Sequence, residues 1–266
     1  MGTEQHKKKT ALITGASEGI GMELAKIMAK EDWNLILTAR RKDLLRALAN
    51  HLSSAHNIKA GIFATDLSDP ANAISLFEYV SSVGICIDAL VNNAGFGMIG
   101  SVDRGDSARI NELLQLNVVS LTALTRLFLP EMKERGSGKI MNVGSIAGLQ
   151  PMPLFAVYAA SKAYIRSFTE AIAIELEDTG VTATLLAPGP TSTGFGRVAG
   201  YKKSRKIEFL RLSAHQVAKQ GYEGMMAGES VVVAGKLNKF VSIISSVLPQ
   251  KITARLAMKG MKRKIS

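Results

Sequence analysis

Apolar runs rich in β-branched and aliphatic residues return along the chain, separated by stretches whose apolar positions recur at threes and fours. The runs predict strands at TALIT (10–14), NLILTA (34–39), IKAGIFA (58–64), DALVNN (88–93), GKIMNVGS (138–145), VTATLLA (181–187) and SVVVAG (230–235). Stretches such as GMELAKIMAKE and SARINELLQLNVVSLTALTRLFLPEM fit helices with one apolar face. Strand and helix patterns in alternation imply right-handed βαβ units. The expected fold class is therefore α/β, a doubly wound parallel sheet of about seven strands with helices on both faces. Neither a repeat nor a linker divides the 266 residues, so one domain over 1–266 is expected, with a polar tail over 1–9 and a basic C-terminal extension over 245–266.

Composition changes this picture little. Hydrophobic residues make up 47% and charged residues 21%, the balance of a globular chain. No apolar run reaches about 18 residues, so no spanning helix is expected. A lone cysteine, Cys86, admits no intramolecular disulfide, and the N-terminus lacks a secretory pattern, so a cytoplasmic location is expected. His6, His51, His56 and His215 are dispersed without ligand spacing, and no metal site is expected.

Charge changes it more. The formal net charge is +11, and basic residues gather near the N-terminus, in YKKSRK (201–206) and beyond residue 250, where Lys251, Arg255, Lys259, Lys262, Arg263 and Lys264 meet no acid. No helix-turn-helix or RNA-binding signature accompanies them, so no nucleic-acid partner is expected. The C-terminal charges suit either a solvated extension or weak peripheral contact with an anionic membrane surface. Pro249 would open a helix there, with Ile252 and Leu256 on one face and Lys259 and Gly260 next along it.

Ligands of doubly wound sheets bind beyond the carboxyl ends of the strands. The first such turn reads TGASEGIG, with Gly15, Gly19 and Gly21 spaced G-x-x-x-G-x-G between a strand and a helix. Missing side chains there let a pyrophosphate approach a helix N-terminus. After the second strand, TARRKD carries Arg40 and Arg41 where an acid would bind the ribose hydroxyl of NAD. Two guanidinium groups suit a 2′-phosphate, so NADP(H) is favoured; two solvated arginines opening a helix are the alternative. Farther on, YAASK sets Tyr158 and Lys162 at i and i+4, one above the other on a helix. An ammonium group beside a phenol lowers the phenol pKa toward the range of acid/base work.

In this order the motifs resemble the short-chain dehydrogenase/reductase family, in its short single-domain branch with Tyr-x-x-x-Lys. The resemblance runs over roughly 9–235 and rests on Thr14-Gly15-x-x-x-Gly19-x-Gly21, Asp66, Asn92-Asn93-Ala94-Gly95, Asn117, Ser145, Tyr158-x-x-x-Lys162 and Pro188-Gly189 leading to Thr193. It implies a Rossmann fold and an NADP-dependent oxidoreductase that reduces a ketone or aldehyde, or oxidises a secondary alcohol. By the resemblance, Tyr158 is the general acid/base, Lys162 lowers its pKa and holds the nicotinamide ribose, Ser145 binds the substrate oxygen, and Asn117 holds a relay water. Gly15, Ser17, Gly19, Ile20 and Gly21 would surround the pyrophosphate and adenosine ribose. Asp66 and Leu67 would meet the adenine, Asn93, Ala94 and Gly95 would lie beside the cofactor, and Pro188, Gly189, Thr191 and Thr193 would serve its nicotinamide end. Glu18 stands where many NADP-preferring members carry a basic residue. Long helices near 106–132 and 157–178 resemble those through which members pair, implying a homodimer or homotetramer.

For the substrate, Leu149, Met152, Leu154 and Phe155 in SIAGLQPMPLFAVY offer an apolar wall, or else a packing face. The glycine-rich segment 194–215 reads as a lid. Its Lys202, Lys203, Arg205 and Lys206 suit an anionic carrier of a β-ketoacyl thioester, or are a solvated charge run. A hydroxysteroid dehydrogenase and a non-catalytic NADP-binding regulator are the alternatives within this fold.

Overall fold

Seven parallel strands form the central sheet of the computed structural model, which describes residues 8–200 and 211–265. Along the chain come β1 (Thr10–Thr14), α1 (Gly19–Lys30), β2 (Asn34–Ala39), α2 (Lys42–His56), β3 (Ala60–Ala64), α3 (Ala71–Ser82) and β4 (Ala89–Asn92). Then follow α4 (Ser107–Leu114), α5 (Leu121–Glu134), β5 (Gly138–Val143), α6 (Ala156–Glu175), β6 (Val181–Ala187), the short β7 (Thr191–Ser192), α7 (Phe195–Val198), β8 (Leu212–Ser213), α8 (Ala214–Ala227), β9 (Val231–Val233), α9 (Lys236–Val247) and α10 (Gln250–Ile265). The sheet order is β3-β2-β1-β4-β5-β6-β9, while β7 and β8 pair separately. The chain winds outward from β1 to β3 and then returns to lay β4 beside β1. A crevice therefore opens between the carboxyl ends of β1 and β4.

The predicted strands all form, with ends trimmed by up to two residues where the ladder stops pairing. Two apolar layers hold the helices on the sheet. One joins Leu24 and Met28 of α1 with Leu45 of α2 and Val217 and Met225 of α8; the other joins Leu76 of α3, Phe128 of α5 and Ile172 of α6. Within the second layer lies a polar ladder. Asn92 and Asn142 stand opposite each other in register on β4 and β5. Asn92 Nδ2 donates to Asn142 Oδ1 at 2.9 Å and to Thr125 Oγ1 at 3.1 Å, and Asn142 Nδ2 donates to Thr169 Oγ1 at 2.9 Å. These bonds pair the amide donors of both asparagines and fasten α5 and α6 to the sheet, while Asn92 Oδ1 is buried without a hydrogen-bond partner among the described residues.

The long helix predicted near 106–132 runs from Ser107 to Glu134 but is interrupted by a π-helical turn over Gln115–Ser120. By length and composition alone this helix is apolar enough to cross a bilayer, contrary to the expectation from the apolar runs. Its stripe of Leu113, Leu121, Leu124, Phe128 and Met132 is buried in the protein core, which accounts for the apolarity.

Candidate active site

A single cleft of about 680 Å³ runs from the glycine turn after β1 to the N-terminus of α6, across the carboxyl edge of the sheet. At its first end, Thr14 ties the turns after β1 and β4 together. Its Oγ1 accepts from the Asn93 and Ala94 N–H groups, both at 2.9 Å, and the Asn93 side chain donates back to the Thr14 carbonyl at 2.8 Å. Glycine is required by this closeness. A Cβ on Gly21 would lie 2.4 Å from Asn93 Nδ2 and 2.6 Å from the Gly15 carbonyl oxygen, and one on Gly15 would lie 2.9 Å from Ala94 Cα. Glu18, at the N-cap of α1, makes no side-chain cap bond, so the first-turn N–H groups face the cleft without that partner. Backbone brought this close and left uncapped at a helix start has the form of a phosphate cradle.

Arg40 and Arg41 line the cleft beyond β2. Each also has an acidic neighbour: Arg40 Nη1 lies 3.6 Å from Asp66, and Arg41 Nη2 lies 3.0 Å from both Glu18 and the Ser17 hydroxyl. Glu18 is thus the counter-ion of Arg41. Burial alone would raise the Asp66 pKa, but hydrogen bonds from the Ser68 N–H and hydroxyl, with Arg40 nearby, hold it below the ordinary carboxylate range. Leu67 is buried beside Asp66, and its carbonyl accepts from the Ser120 hydroxyl.

At the other end, β5 delivers Ser145 and α6 delivers Tyr158 and Lys162. Ser145 caps a short 3-10 turn, its Oγ accepting from the Ala147 N–H at 3.1 Å, and it lies within 3.4 Å of the Pro188 carbonyl. Tyr158 is 6% exposed, and its ring packs against Phe155, with centroids 4.4 Å apart, and Phe195, at 5.3 Å. Gly97 makes this possible, because a Cβ there would lie within 3.0 Å of both phenylalanine rings. Lys162 lies one turn on, with Nζ 5.7 Å from the Tyr158 ring centroid and donating to the Val143 carbonyl at 2.8 Å. Burial lowers the Lys162 pKa from 10.5 to about 8.

Asn117 occupies the π-helical turn and is fully buried. Its amide donates to the Phe96 carbonyl and the Ser161 hydroxyl, both at 3.1 Å, and its oxygen accepts from the Phe96 N–H at 3.2 Å. A Cβ on Gly95 would sit 2.9 Å from that oxygen and 3.5 Å from Lys162 Nζ, so Gly95 lets Asn117 and Lys162 share one corner of the cleft. The π turn that breaks the helix there displaces its backbone pattern next to the reacting groups, a recurrent feature of functional sites. Pro188, Gly189, Thr191 and Thr193 line the opposite wall, with Thr191 Oγ1 donating to the Gly189 carbonyl at 2.9 Å.

Most residues singled out in the sequence thus border one cleft; Asn117 sits just behind Gly95, and Gly21 packs behind the turn against the Asn93 side chain and the Gly15 carbonyl. Leu149, Met152 and Phe155 line it too, whereas Leu154 packs beside Phe155 in the adjoining apolar cluster. The NNAG motif divides its labour: Asn93 faces the cleft and Asn92 belongs to the core ladder. Three features escaped sequence reasoning. They are the Val143 carbonyl that receives Lys162, Phe195 against Tyr158, and α9, whose Val241 and Ser245 form part of the rim. An aromatic residue between two glycines, Gly194-Phe195-Gly196, was the one available signal for Phe195. Lys202, Lys203, Arg205 and Lys206 of the predicted lid lie outside the described residues.

The sequence pattern of the family described as short chain dehydrogenase matches residues 9–203. The chain belongs to that family. Short-chain dehydrogenases are oxidoreductases acting on small molecules, and the sheet order and glycine turn seen here are those of their Rossmann fold. The ketoacyl reductase HetN of Nostoc sp. is 35% identical over 184 residues, 69% of this chain and 64% of that protein. A match to the very-long-chain 3-oxoacyl-CoA reductase of Anas platyrhynchos, at 26% identity, extends over 95% of this chain and 80% of that one. Among solved structures, a short-chain dehydrogenase from Sphingobium yanoikuyae in complex with NADPH aligns with a TM-score of 0.80 and 27% identity, covering 91% of this chain and 97% of its own. One from Burkholderia phymatum in complex with NAD shares the fold, with a TM-score of 0.79 at 24% identity over 89% and 92% of the two chains.

Proposed function

We propose that this short-chain dehydrogenase is an NADPH-dependent reductase of apolar ketones or aldehydes, with a β-ketoacyl thioester the first substrate class to try. The observation that carries the reading is the meeting of Ser145, Tyr158 and Lys162 at one end of a cleft whose other end is a glycine-lined cradle. The close approach of the Gly15, Gly21 and Ala94 backbones, with the Asn93 side chain between them, suits a dinucleotide phosphate, and Arg40 and Arg41 suit a 2′-phosphate beside β2. Bound NADPH would supply the hydride.

The chain's own residues do the rest. As a carbonyl is reduced, negative charge develops on its oxygen, and donors aimed there lower the barrier. Ser145 Oγ donates to that oxygen, and the Tyr158 hydroxyl gives up its proton to it. Lys162, held by the Val143 carbonyl, keeps a positive charge near the phenol at neutral pH, which favours the phenolate left behind. Asn117 and Ser161 fix the corner from which a proton returns. Phe155, Phe195, Met152 and Leu149 shape an apolar seat that keeps bulk water from the charge. The names of the ketoacyl and 3-oxoacyl-CoA reductases among the relatives support the thioester as the first substrate class.

The test is NADPH and NADH consumption by the wild type and Tyr158→Phe over ketones, β-ketoacyl thioesters and steroids. Expected are a preference for NADPH well over about tenfold, and a fall in kcat of about 10²–10⁴-fold in Tyr158→Phe with NADPH binding retained. Tight NADPH binding without turnover of any carbonyl would instead favour a dinucleotide-binding regulator.

A further inference from the structure

The helix α9 is turned inside out. Its protein-facing side carries Asn238, buried, and Ser242 and Ser245, half-buried, while Leu237, Phe240, Ile243 and Ile244 face outward, Phe240 being 61% exposed. The outward side continues through Leu248 into α10, where Ile252 and Leu256 are exposed and Thr253 and Met261 turn inward. Lys236, Lys239, Lys251, Arg255 and Lys259 are exposed on the same two helices, and the sequence has no aspartate or glutamate after Glu229. Large apolar side chains left exposed along two helices whose charged residues are all cations mark an interaction site rather than ordinary solvent-facing surface.

We propose that α9 and α10 dock the protein on an anionic lipid bilayer and set the mouth of the cleft against it. The charge pattern decides the occupant. A second copy meeting this face symmetrically would bring lysines and arginines against their own counterparts with no acid on the face to pair them. An anionic bilayer accepts both features at once: the apolar side chains enter the boundary between headgroups and acyl chains, and the cations stay among the phosphates. The face is also placed for a purpose. Val241 and Ser245, on the flank of α9, line the cleft that holds Tyr158, so the docked enzyme would draw its substrate laterally from the membrane. This part rests on the reductase reading and deepens it: the substrate is a membrane-resident carbonyl lipid with a long acyl chain.

Sedimentation with vesicles tests the docking independently of turnover. The full chain is expected to pellet with phosphatidylglycerol/phosphatidylcholine vesicles, far less with phosphatidylcholine alone, and less as salt rises. The triple variant Leu237→Gln, Phe240→Gln, Ile244→Gln should lose about tenfold or more in vesicle affinity, as should Lys251→Gln with Arg255→Gln. Both should keep the wild-type melting temperature and the wild-type turnover of a water-soluble ketone, while losing turnover of a long-chain ketone presented in the vesicles. Failure of the wild type to pellet, or equal pelleting by the triple variant, overturns the docking face. A dimeric mass that the triple variant converts to a monomer, without vesicle binding, would assign the face to a second copy instead. Absence of all ketone turnover with vesicle binding intact would sink the reductase reading and leave the docking standing.

Discussion

Two helices at opposite sides of the cleft obey opposite rules. In α1, the buried residues are Gly21, Leu24, Ala25, Met28 and Ala29, and the turn before it is locked to β4 by Thr14 and Asn93. Among the described side chains of α9 the one buried is an asparagine, while Leu237, Phe240, Ile243 and Ile244 face outward. The first helix is held by the hydrophobic layer it completes, and its position is fixed by backbone contacts too close for any side chain but hydrogen. Little apolar area ties the second to its own protein, so its sequence answers to something outside the fold. The cofactor end of the cleft is rigid by construction, and the substrate end is bordered by a surface built to meet a partner.

Truncation breaks the comparison most sharply. Leu24→Ala removes a fully buried side chain and should cost about 2–5 kcal/mol in denaturant unfolding, whereas Phe240→Ala, on an exposed position, should stay within about 0.5 kcal/mol. Equal losses would mean that α9 packs as α1 does. Lys162 gives the next effect, with a definite sign. Its folded pKa, about 8, lies below the ordinary 10.5, so the unfolded chain binds more protons between these values. Burying the charged form therefore costs stability below about pH 8, and that cost is relieved as the pH rises toward 10.5. The gain amounts to about 3 kcal/mol. The wild type should therefore gain about 3 kcal/mol of unfolding free energy relative to Lys162→Met between about pH 8 and 10.5, and a pH-independent difference would refute the assignment. Gly21→Ala follows, at about 1–3 kcal/mol, with loss of NADPH affinity, because its methyl must displace Asn93 or the Gly15 carbonyl. Calorimetry and a fluorescence titration of NADPH would read the two effects separately.

The sheet was legible because each strand is a continuous apolar run and each crossover a helical pattern, both local signals. The glycine turn, Tyr158 and Lys162 were legible because their spacing is itself local, whereas Ser145 was reached only through the family resemblance. The rest depends on contacts between distant segments. Phe195 meets Tyr158 only because the chain returns after β6, and Lys162 finds the Val143 carbonyl across from another element. The π turn at Asn117 leaves the apolar stripe of its helix almost unbroken, so periodicity passes over it. Periodicity also fails at α9 for a different reason: it locates an apolar face without saying whether that face points toward the sheet or away from it.

The unusual lysine has a consequence for reagents as well as for reaction. With its pKa near 8, roughly a quarter of Lys162 is uncharged amine at pH 7.5, against about one part in a thousand for an ordinary lysine. Among the described residues Lys162 is the lysine that lines the cleft, and its larger share of free amine opens it to acylating or aldehyde probes small enough to reach it, while a ligand seated over it would shield it. One covalent label would report occupancy of the whole cleft.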